Sequence, residues 1–328
     1  MKIAVYAEAD KGSVTTETKE LFALGGQLAG AYNGELQGIV LGSCCLAAGE
    51  QLIQLGAKTI YTVEHPLLDS FETRLYARAL IALFQKHTTP DLLLFSHNQT
   101  GRDLVPFLAV QLKAGACLDC TDLTFNEKTG LFHGVHPFYG GNVVGLYTTN
   151  NKPQLFTMRK GGRDCTYQSV ANNTEIIPVS IELNSTQILA RVIKRTFAPP
   201  GEDKLEDASV IVSGGRGIGG TEGFALLREL AAALGGTVGA SRSAVDAGWI
   251  EAERQIGLTG KFVNPDLYIA VGISGATQHM AGCSTAKTII AVNRDPESPI
   301  FRRAHYGIIA DYKNIIPLMI KKSQRQKC

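Results

Sequence analysis

Seven cysteines scattered through 328 residues do not make a disulfide framework. Cys44 and Cys45 are adjacent, and Cys117-Leu118-Asp119-Cys120 forms a single CxxC. No second CxxC or nearby Cys/His pair completes four ligands, and this motif falls in a strand-like run. Reduced structural thiols are therefore expected, and no metal. Long apolar stretches are missing as well: none reaches the roughly 18 to 20 residues that span a bilayer, which excludes direct membrane insertion. An excess of either charge is also absent. Thirty-two Lys and Arg against 30 Asp and Glu leave a formal charge of +2, and no long basic run argues for nucleic acid. The first residues, Met1-Lys2-Ile3-Ala4-Val5-Tyr6, go straight into a strand pattern with no basic and apolar leader. Secretion and organelle import are disfavoured, and a cytoplasmic protein is expected.

What the chain does have is core. Hydrophobic residues make up 45% and charged residues 19%, a balance suited to a globular protein, and the length suggests two domains. The first part alternates strand-like runs (3–7, 36–41, 59–63, 92–96) with helix-like ones (16–31, 46–55, 71–85). Within 74–84, Leu75, Ala79, Leu80 and Leu83 share one helical face. This βαβα alternation predicts a parallel sheet with right-handed crossovers. From Cys120 the pattern turns to short strands (123–125, 134–138, 143–148, 154–157), expected to extend that sheet with antiparallel pairing. The loop Ser96-His97-Asn98-Gln99-Thr100-Gly101-Arg102-Asp103 opens a helix. It is read as an N-cap by Asn98 or Thr100, with anion binding as the alternative. A β-rich run at 187–197 leads into Ala198-Pro199-Pro200-Gly201-Glu202-Asp203-Lys204, the clearest linker. It separates an N-terminal domain, 1–196, from a second, 207–328.

The second domain opens with a strand (209–213), the turn Gly214-Gly215-Arg216-Gly217-Ile218-Gly219-Gly220 and a helix (222–234) that stops at Gly235. Gly215, Gly217 and Gly220 satisfy GxGxxG, and Ser241-Arg242 stands after the next strand, where a reader of a 2′-phosphate would sit. An NADP-dependent oxidoreductase is the reading of another class that follows. A glycine-rich helix start carrying Arg216 suits any pyrophosphate, however. Residues 265–293, PDLYIAVGISGATQHMAGCSTAKTIIAVN, hold two buried strand patterns around a small-residue turn. That turn ends in Gln278-His279, beyond the strand's carboxyl end, where open α/β sheets bind ligands. The second run ends in a further polar edge, Asn293-Arg294-Asp295-Pro296.

Four segments belong together: Gly239-Ala240-Ser241-Arg242, Gln255-Ile256-Gly257-Leu258-Thr259-Gly260-Lys261, the 267–282 stretch with its Gln278-His279 turn, and Tyr306-Gly307-Ile308-Ile309-Ala310-Asp311-Tyr312. They closely resemble the C-terminal domain of electron transfer flavoprotein α subunits, strongly over 210–317 and loosely over the whole chain. The resemblance implies an α/β protein: an N-terminal Rossmann-like domain with added antiparallel strands, contacting a β subunit, and then a doubly wound parallel-sheet domain that binds FAD. Arg216 would lie by the FAD pyrophosphate, and Ser241 would bind the cofactor with Arg242 beside the isoalloxazine. Ile256, Gly257 and Leu258 would line the ring with Thr259, whose hydroxyl would face N5. Ser274, Gly275, Ala276, Thr277 and Gln278 would wrap the phosphate and ribityl region. His279 would face the N1/C2 carbonyl edge, with Asn293, Asp311 and Tyr312 towards the adenosine end.

One-electron reduction places negative charge at that carbonyl edge. Arg242 and His279, as positive or donor groups, would raise the first potential there. At an effective dielectric near 20, a unit charge about 4 Å away is worth roughly 4 kcal/mol. The resemblance also implies partners: a β subunit holding AMP or a second FAD, an acyl-CoA dehydrogenase or related flavoenzyme as donor, and a quinone oxidoreductase as acceptor. An electron-bifurcating relative coupling NADH, ferredoxin and a CoA-ester reductase is the alternative within the family. Two positions depart from the family pattern. Leu258 stands where Gln is usual, and Thr277 where Ile or Val is usual, so altered flavin chemistry is expected around them.

Overall fold

A computed structural model describes residues 1–10, 12–87, 89–139, 143–161, 174–184, 188, 192–193 and 205–325. The chain divides into two compact units, Met1–Pro137 with Val144–Thr196, and Phe138–Val143 with Phe197–Cys328. The linker read at 198–204 lies outside the described residues. So does most of the run at 187–197, whose described members Ile188, Val192 and Ile193 belong to no strand.

In the first unit, β1 (Lys2–Ala7) passes through the small hairpin β2 (Ala9–Asp10) and β3 (Ser13–Val14) to α1 (Thr16–Ala31). There follow β4 (Glu35–Gly42), α2 (Leu46–Gln54), β5 (Thr59–Glu64), α3 (Thr73–Lys86), β6 (Leu92–Ser96), α4 (Gln99–Leu112) and β7 (Ala116–Cys120). After these come β8 (Asp122–Asn126), β9 (Leu131–Phe138), β10 (Val143–Thr148), β11 (Gln154–Met158) and β12 (Glu175–Pro178). Seven strands make one sheet in the order β12-β5-β4-β1-β6-β11-β7, and its paired neighbours run parallel. Strand periodicity sorts the core into two layers. Ile3, Val5 and Ala7 face α1 and α2, whereas Ala4 and Tyr6 face α3 and α4. Leu75, Ala79, Leu80 and Leu83 of α3 are all buried, as their spacing predicts.

The antiparallel strands differ from expectation. β8, β9 and β10 form a separate three-stranded sheet, and β11 enters the main sheet in parallel. The burial patterns give the reason. All five residues of β11 are buried, as a central strand requires, while β8 and β9 bury Leu123 and Phe132 on one face only. Gly134 of β9 lies so close to Cys120 and Phe156 that a Cβ would stand 2.6 Å from the sulfur, so the small sheet packs face-on against β7 and β11. Cys117 and Cys120 are buried, with burial pushing their thiols up to about 11 and about 12, respectively.

The second unit contains β13 (Val210–Gly214), α5 (Thr221–Leu234), β14 (Thr237–Ala240), α6 (Arg242–Asp246), β15 (Leu267–Val271), α7 (Thr277–Met280), β16 (Thr288–Asn293), β17 (Tyr306–Ile309) and α8 (Tyr312–Arg325). Its sheet is parallel, in the order β14-β13-β15-β16-β17. Phe224, Leu227 and Ala231 of α5, with Ile316 of α8, cover one face of it, and Gly235 ends α5 in the left-handed conformation at φ 71°. Ile211, Tyr268, Ala270, Ile289 and Ala291 fill the other face beneath Met280 and Cys283. The chain winds outward in both directions from the β13/β15 pair. A crevice therefore opens at the carboxyl ends of these two strands.

Candidate functional site

The floor of that crevice is a backbone-to-backbone contact. Gly215 N–H donates to the Val271 carbonyl at 2.9 Å and Gly217 N–H to the Gly272 carbonyl at 3.0 Å. A Cβ on Gly215 would stand 2.3 Å from the Gly272 oxygen, one on Gly217 would stand 2.9 Å from the Gly272 Cα, and Gly272 itself has φ +61°. Glycine is needed here to let two strand ends meet. The third glycine of the GxGxxG spacing has no such duty. A Cβ on Gly220 would meet nothing within 4 Å, and it is Gly223 that packs tightly, against Ile218 and Tyr312. In a dinucleotide fold the third glycine seats the helix on the sheet. That role is missing at Gly220, which counts against the NADP reading.

Above this floor lies a cleft of about 680 Å³. Arg216 and Gly217 bound it on one side, and Ser241 and Arg242, at the end of β14, on the next. Ser241 is buried, and its N–H donates to the Gly214 carbonyl at 2.9 Å. Arg242 faces solvent. Its Nε lies 3.3 Å from Asp246 Oδ2 with the two side chains 68% and 62% exposed, an i,i+4 pair that water largely screens.

The loop after α6 forms the next wall. Ile256 N–H reaches the Ala240 carbonyl at 2.9 Å, Lys261 N–H reaches that of Gln255 at 2.8 Å, and Leu258 N–H that of Gln278 at 2.8 Å. Gly257, with φ +142°, packs its α-carbon against the Gln278 carbonyl. Ile256, Gly257, Leu258 and Thr259 all line the cleft. Gln255 Nε2 donates to Thr259 Oγ1 at 3.0 Å. Leu258 is 56% exposed, an apolar side chain at the mouth.

The turn after β15 supplies Ser274, Ala276, Gln278 and His279 to the lining. Gly275 and Thr277 are not part of it. Gly275 (φ +82°) turns its α-carbon towards Ile300, where a Cβ would stand 2.4 Å from the backbone nitrogen, and Thr277 begins α7. Asn293 also lines the cleft, yet its amide is already engaged. Nδ2 donates to the Ile273 carbonyl at 3.0 Å and to Ser298 Oγ at 3.1 Å, while Oδ1 accepts from Asp295 N–H at 3.1 Å. Asn293 thus staples the 272–276 turn to the 293–298 turn.

Of the two roles expected of His279, positive group or donor, its surroundings favour the neutral one. It is buried, its Nε2 lies 2.8 Å from the Tyr268 hydroxyl, and Nδ1 is buried without a hydrogen bond. Burial lowers its pKa to about 4, opposed only by the Ile256 carbonyl, so the imidazole is neutral near pH 7. The positive charges at this site belong to arginines.

A smaller cavity of about 250 Å³ shares Arg216, Gly217, Gly272, Asn293 and Arg294 with the cleft and adds Asp311, Tyr312 and Lys313. The Tyr312 hydroxyl donates to the Ile218 carbonyl at 2.8 Å and ties α8 to the glycine turn. Together the two adjoining cavities make a trough that carries Arg216, Arg242, Arg294 and Lys313 and also Asp246, Asp295 and Asp311. Sequence reasoning assigned no role to Arg294, Ser298 or Gly272. Arg294 belongs to the polar edge at the end of β16 and Ser298 follows it, which was the available signal.

The first unit has a corresponding reversal of strand order, between β1 and β6. There the strand ends are tied to one another. Asn98 Nδ2 donates to both Glu8 carboxylate oxygens at 3.0 and 2.9 Å, and Asn98 Oδ1 caps α4 through Gly101 N–H at 3.0 Å. His97 meets Thr157 Oγ1 at 2.7 Å, and Arg159 forks onto Asp119. The N-cap reading of this loop is the one the structure supports.

The fold and trough define a doubly wound α/β protein with a strand-end site. Residues 3–181 match the electron transfer flavoprotein domain, and residues 204–284 match the electron transfer flavoprotein FAD-binding domain. The chain is 37% identical over 326 residues to the electron transfer flavoprotein subunit alpha of Thermoanaerobacterium thermosaccharolyticum, covering 99% of this chain and 98% of that one. It is 35% identical to the subunit of the same name from Bacillus subtilis (98% and 97% covered) and 36% identical to protein FixB of Azotobacter vinelandii (96% and 89% covered). The chain belongs to the electron transfer flavoprotein α-subunit family. The family and its matched domain carry a flavin and move electrons. No helix among the described residues is long and apolar enough to cross a membrane.

Proposed function

We propose that this chain is the α subunit of a two-subunit electron transfer flavoprotein and holds FAD in the trough of its second unit. The observation that carries this reading is the coincidence of the β13/β15 crevice with Arg216, Arg242 and Arg294 along one continuous trough. FAD, when bound, supplies reversible one- and two-electron chemistry.

The chain's own residues bind, orient and set the field. Arg216 sits where both cavities meet, the position for the pyrophosphate, and Asp311 and Tyr312 stand at the far, adenosine end. Ser274, Ala276 and Gln278 line the stretch between, on a turn held by Asn293, while Gly275 and Thr277 shape that turn from behind. Ser241, Arg242, Ile256, Gly257, Leu258, Thr259 and His279 surround the wider end, which suits the ring system. Arg242 supplies positive charge there, Thr259 a hydroxyl, and His279 a neutral imidazole.

The exposure of Arg242 and Leu258 at the mouth supports a site completed by a β subunit. A covering chain would remove the water that screens Arg242 and strengthen its field. In this reading the β subunit holds AMP, dehydrogenases of the acyl-CoA type donate electrons, and a quinone-linked or other protein accepts them. The cell compartment proposed is the cytoplasm.

Co-purification with the β subunit and a count of FAD per heterodimer tests the proposal. One FAD with AMP supports the simple carrier, and two FAD would favour a bifurcating version. Bound NADPH with no flavin overturns the reading.

A further inference from the structure

Behind the wall of the trough lies a buried tyrosine that cofactor binding alone does not require. Tyr268 is fully buried on β15, in the layer that carries α7, and its hydroxyl oxygen is 2.8 Å from His279 Nε2. Burial pushes the phenol far above its ordinary titration range, so the hydroxyl keeps its hydrogen. Ser213 Oγ and the Cys283 thiol also lie against the phenol, in looser contact than the imidazole, and the thiol is directed to the His279 carbonyl at 3.7 Å. His279 Nε2, at 2.8 Å, is the partner that meets the phenol in full hydrogen-bond geometry. A neutral imidazole that accepts at Nε2 carries its hydrogen on Nδ1. In the opposite arrangement, Nε2–H donating to the phenol oxygen, Nδ1 would carry no hydrogen, and the Ile256 carbonyl beside the imidazole would face a ring with no donor left for it.

We propose that Tyr268 is a positioning residue of the flavin site: by donating to Nε2 it holds His279 as the neutral Nδ1–H tautomer. At the wall of the trough His279 is then a fixed dipole, and the charge acting on a cofactor comes from Arg242. The titratable groups packed on the imidazole, Tyr268 and Cys283, are both kept neutral by burial, the thiol being pushed up to about 12. No neighbouring charge competes for the proton. The consequence for the flavin rests on the function proposed above, whereas the tautomer is a property of the chain itself.

The test is the nitrogen chemical shifts of the His279 imidazole. They are read by long-range proton–nitrogen correlation on the full-length protein, flavin-loaded and flavin-stripped, from about pH 5 to pH 8. The expected result is a protonated Nδ1, an unprotonated accepting Nε2 and little titration across the range. In Tyr268→Phe the lost donor should let the proton spread over both nitrogens and raise the imidazole midpoint by about one pH unit. The flavin midpoint potential of that variant should then vary with pH over the same interval.

A protonated Nε2 in the wild type, or a Tyr268→Phe protein with unchanged shifts and unchanged potential, overturns the proposal. If the variant does not fold, the wild-type shifts decide alone. Absence of flavin from the purified protein would strike the proposed function, and the flavin-stripped measurement would still decide the tautomer.

Discussion

Gly217 N–H donates to the Gly272 carbonyl at 3.0 Å, and a Cβ on Gly217 would stand 2.9 Å from both the Gly272 Cα and its oxygen. Two loops from two strands thus rest on each other's backbone. Gly217→Ala must push them apart, at a cost of about 1–3 kcal/mol by the usual penalty of overpacking, and flavin retention should fall with it. Gly220→Ala meets open space and should change stability by no more than about 0.5 kcal/mol. Urea unfolding of the two variants checks the contrast. An intolerant Gly220 and a tolerant Gly217 would return the glycine turn to the dinucleotide reading.

His279 gives the second unit an acid-sensitive core. Its folded pKa of about 4 lies below the ordinary 6.5, so the unfolded chain binds the extra proton. The stability it contributes is fully present above pH 6.5 and is lost as pH falls towards 4. Between pH 7 and pH 5 the loss should be roughly 2 kcal/mol. Unfolding curves of wild type and His279→Gln at both pH values measure it, and the variant should lack this part of the slope.

Glu8 works in the opposite direction in the first unit. Burial, with the nearby Glu17, raises its carboxyl from 4.5 to about 7 against the hydrogen bond from Asn98. Here the folded state binds the extra proton, so stability falls as pH rises from 4.5 through 7 and then levels off. Glu8→Gln should flatten this dependence and be the more stable protein at pH 8, by up to about 3 kcal/mol. Unfolding midpoints followed across the pH range would settle the sign.

Asn293 lines the cleft and shapes it through its hydrogen bonds to the neighbouring turns. Asn293→Ala removes two hydrogen bonds made by Nδ2 and one accepted by Oδ1, leaving the Ile273 carbonyl and the Asp295 N–H without that partner. A loss of roughly 2–3 kcal/mol in stability is expected. Weaker flavin retention should accompany it, because the 272–276 turn loosens. Thermal melting and the flavin-to-protein absorbance ratio give the two readouts.

Arg242 should show the reverse profile, with an effect on the flavin and little on folding. Its pair with Asp246 is exposed, so Arg242→Ala should leave stability within about 0.5 kcal/mol. The same change should lower the first reduction potential of the flavin and weaken its retention. Spectroelectrochemical titration of the heterodimer checks this, and unchanged potential with full flavin content would remove Arg242 from the site.

The sequence by itself determined the local elements and the place of the site. Strand and helix periods mark β1, α3, β15 and β16, the glycine turn marks a close backbone approach, and the Ser241-Arg242 and Gln278-His279 segments mark the wall of the cleft. These signals are local, because side-chain period and backbone permissiveness are properties of a few adjacent residues. Tertiary structure alone decided what depends on distant atoms. It placed β8, β9 and β10 in a sheet of their own by packing Gly134 on Phe156, and it turned the Gly275 α-carbon towards Ile300. It also brought Tyr268, an ordinary apolar-strand tyrosine in sequence, to within 2.8 Å of His279. Burial, which the sequence does not show, decides between the two roles expected of His279 and makes it the neutral one. Burial and its electrostatic consequences are sums over groups far apart in the chain, and no local pattern carries them.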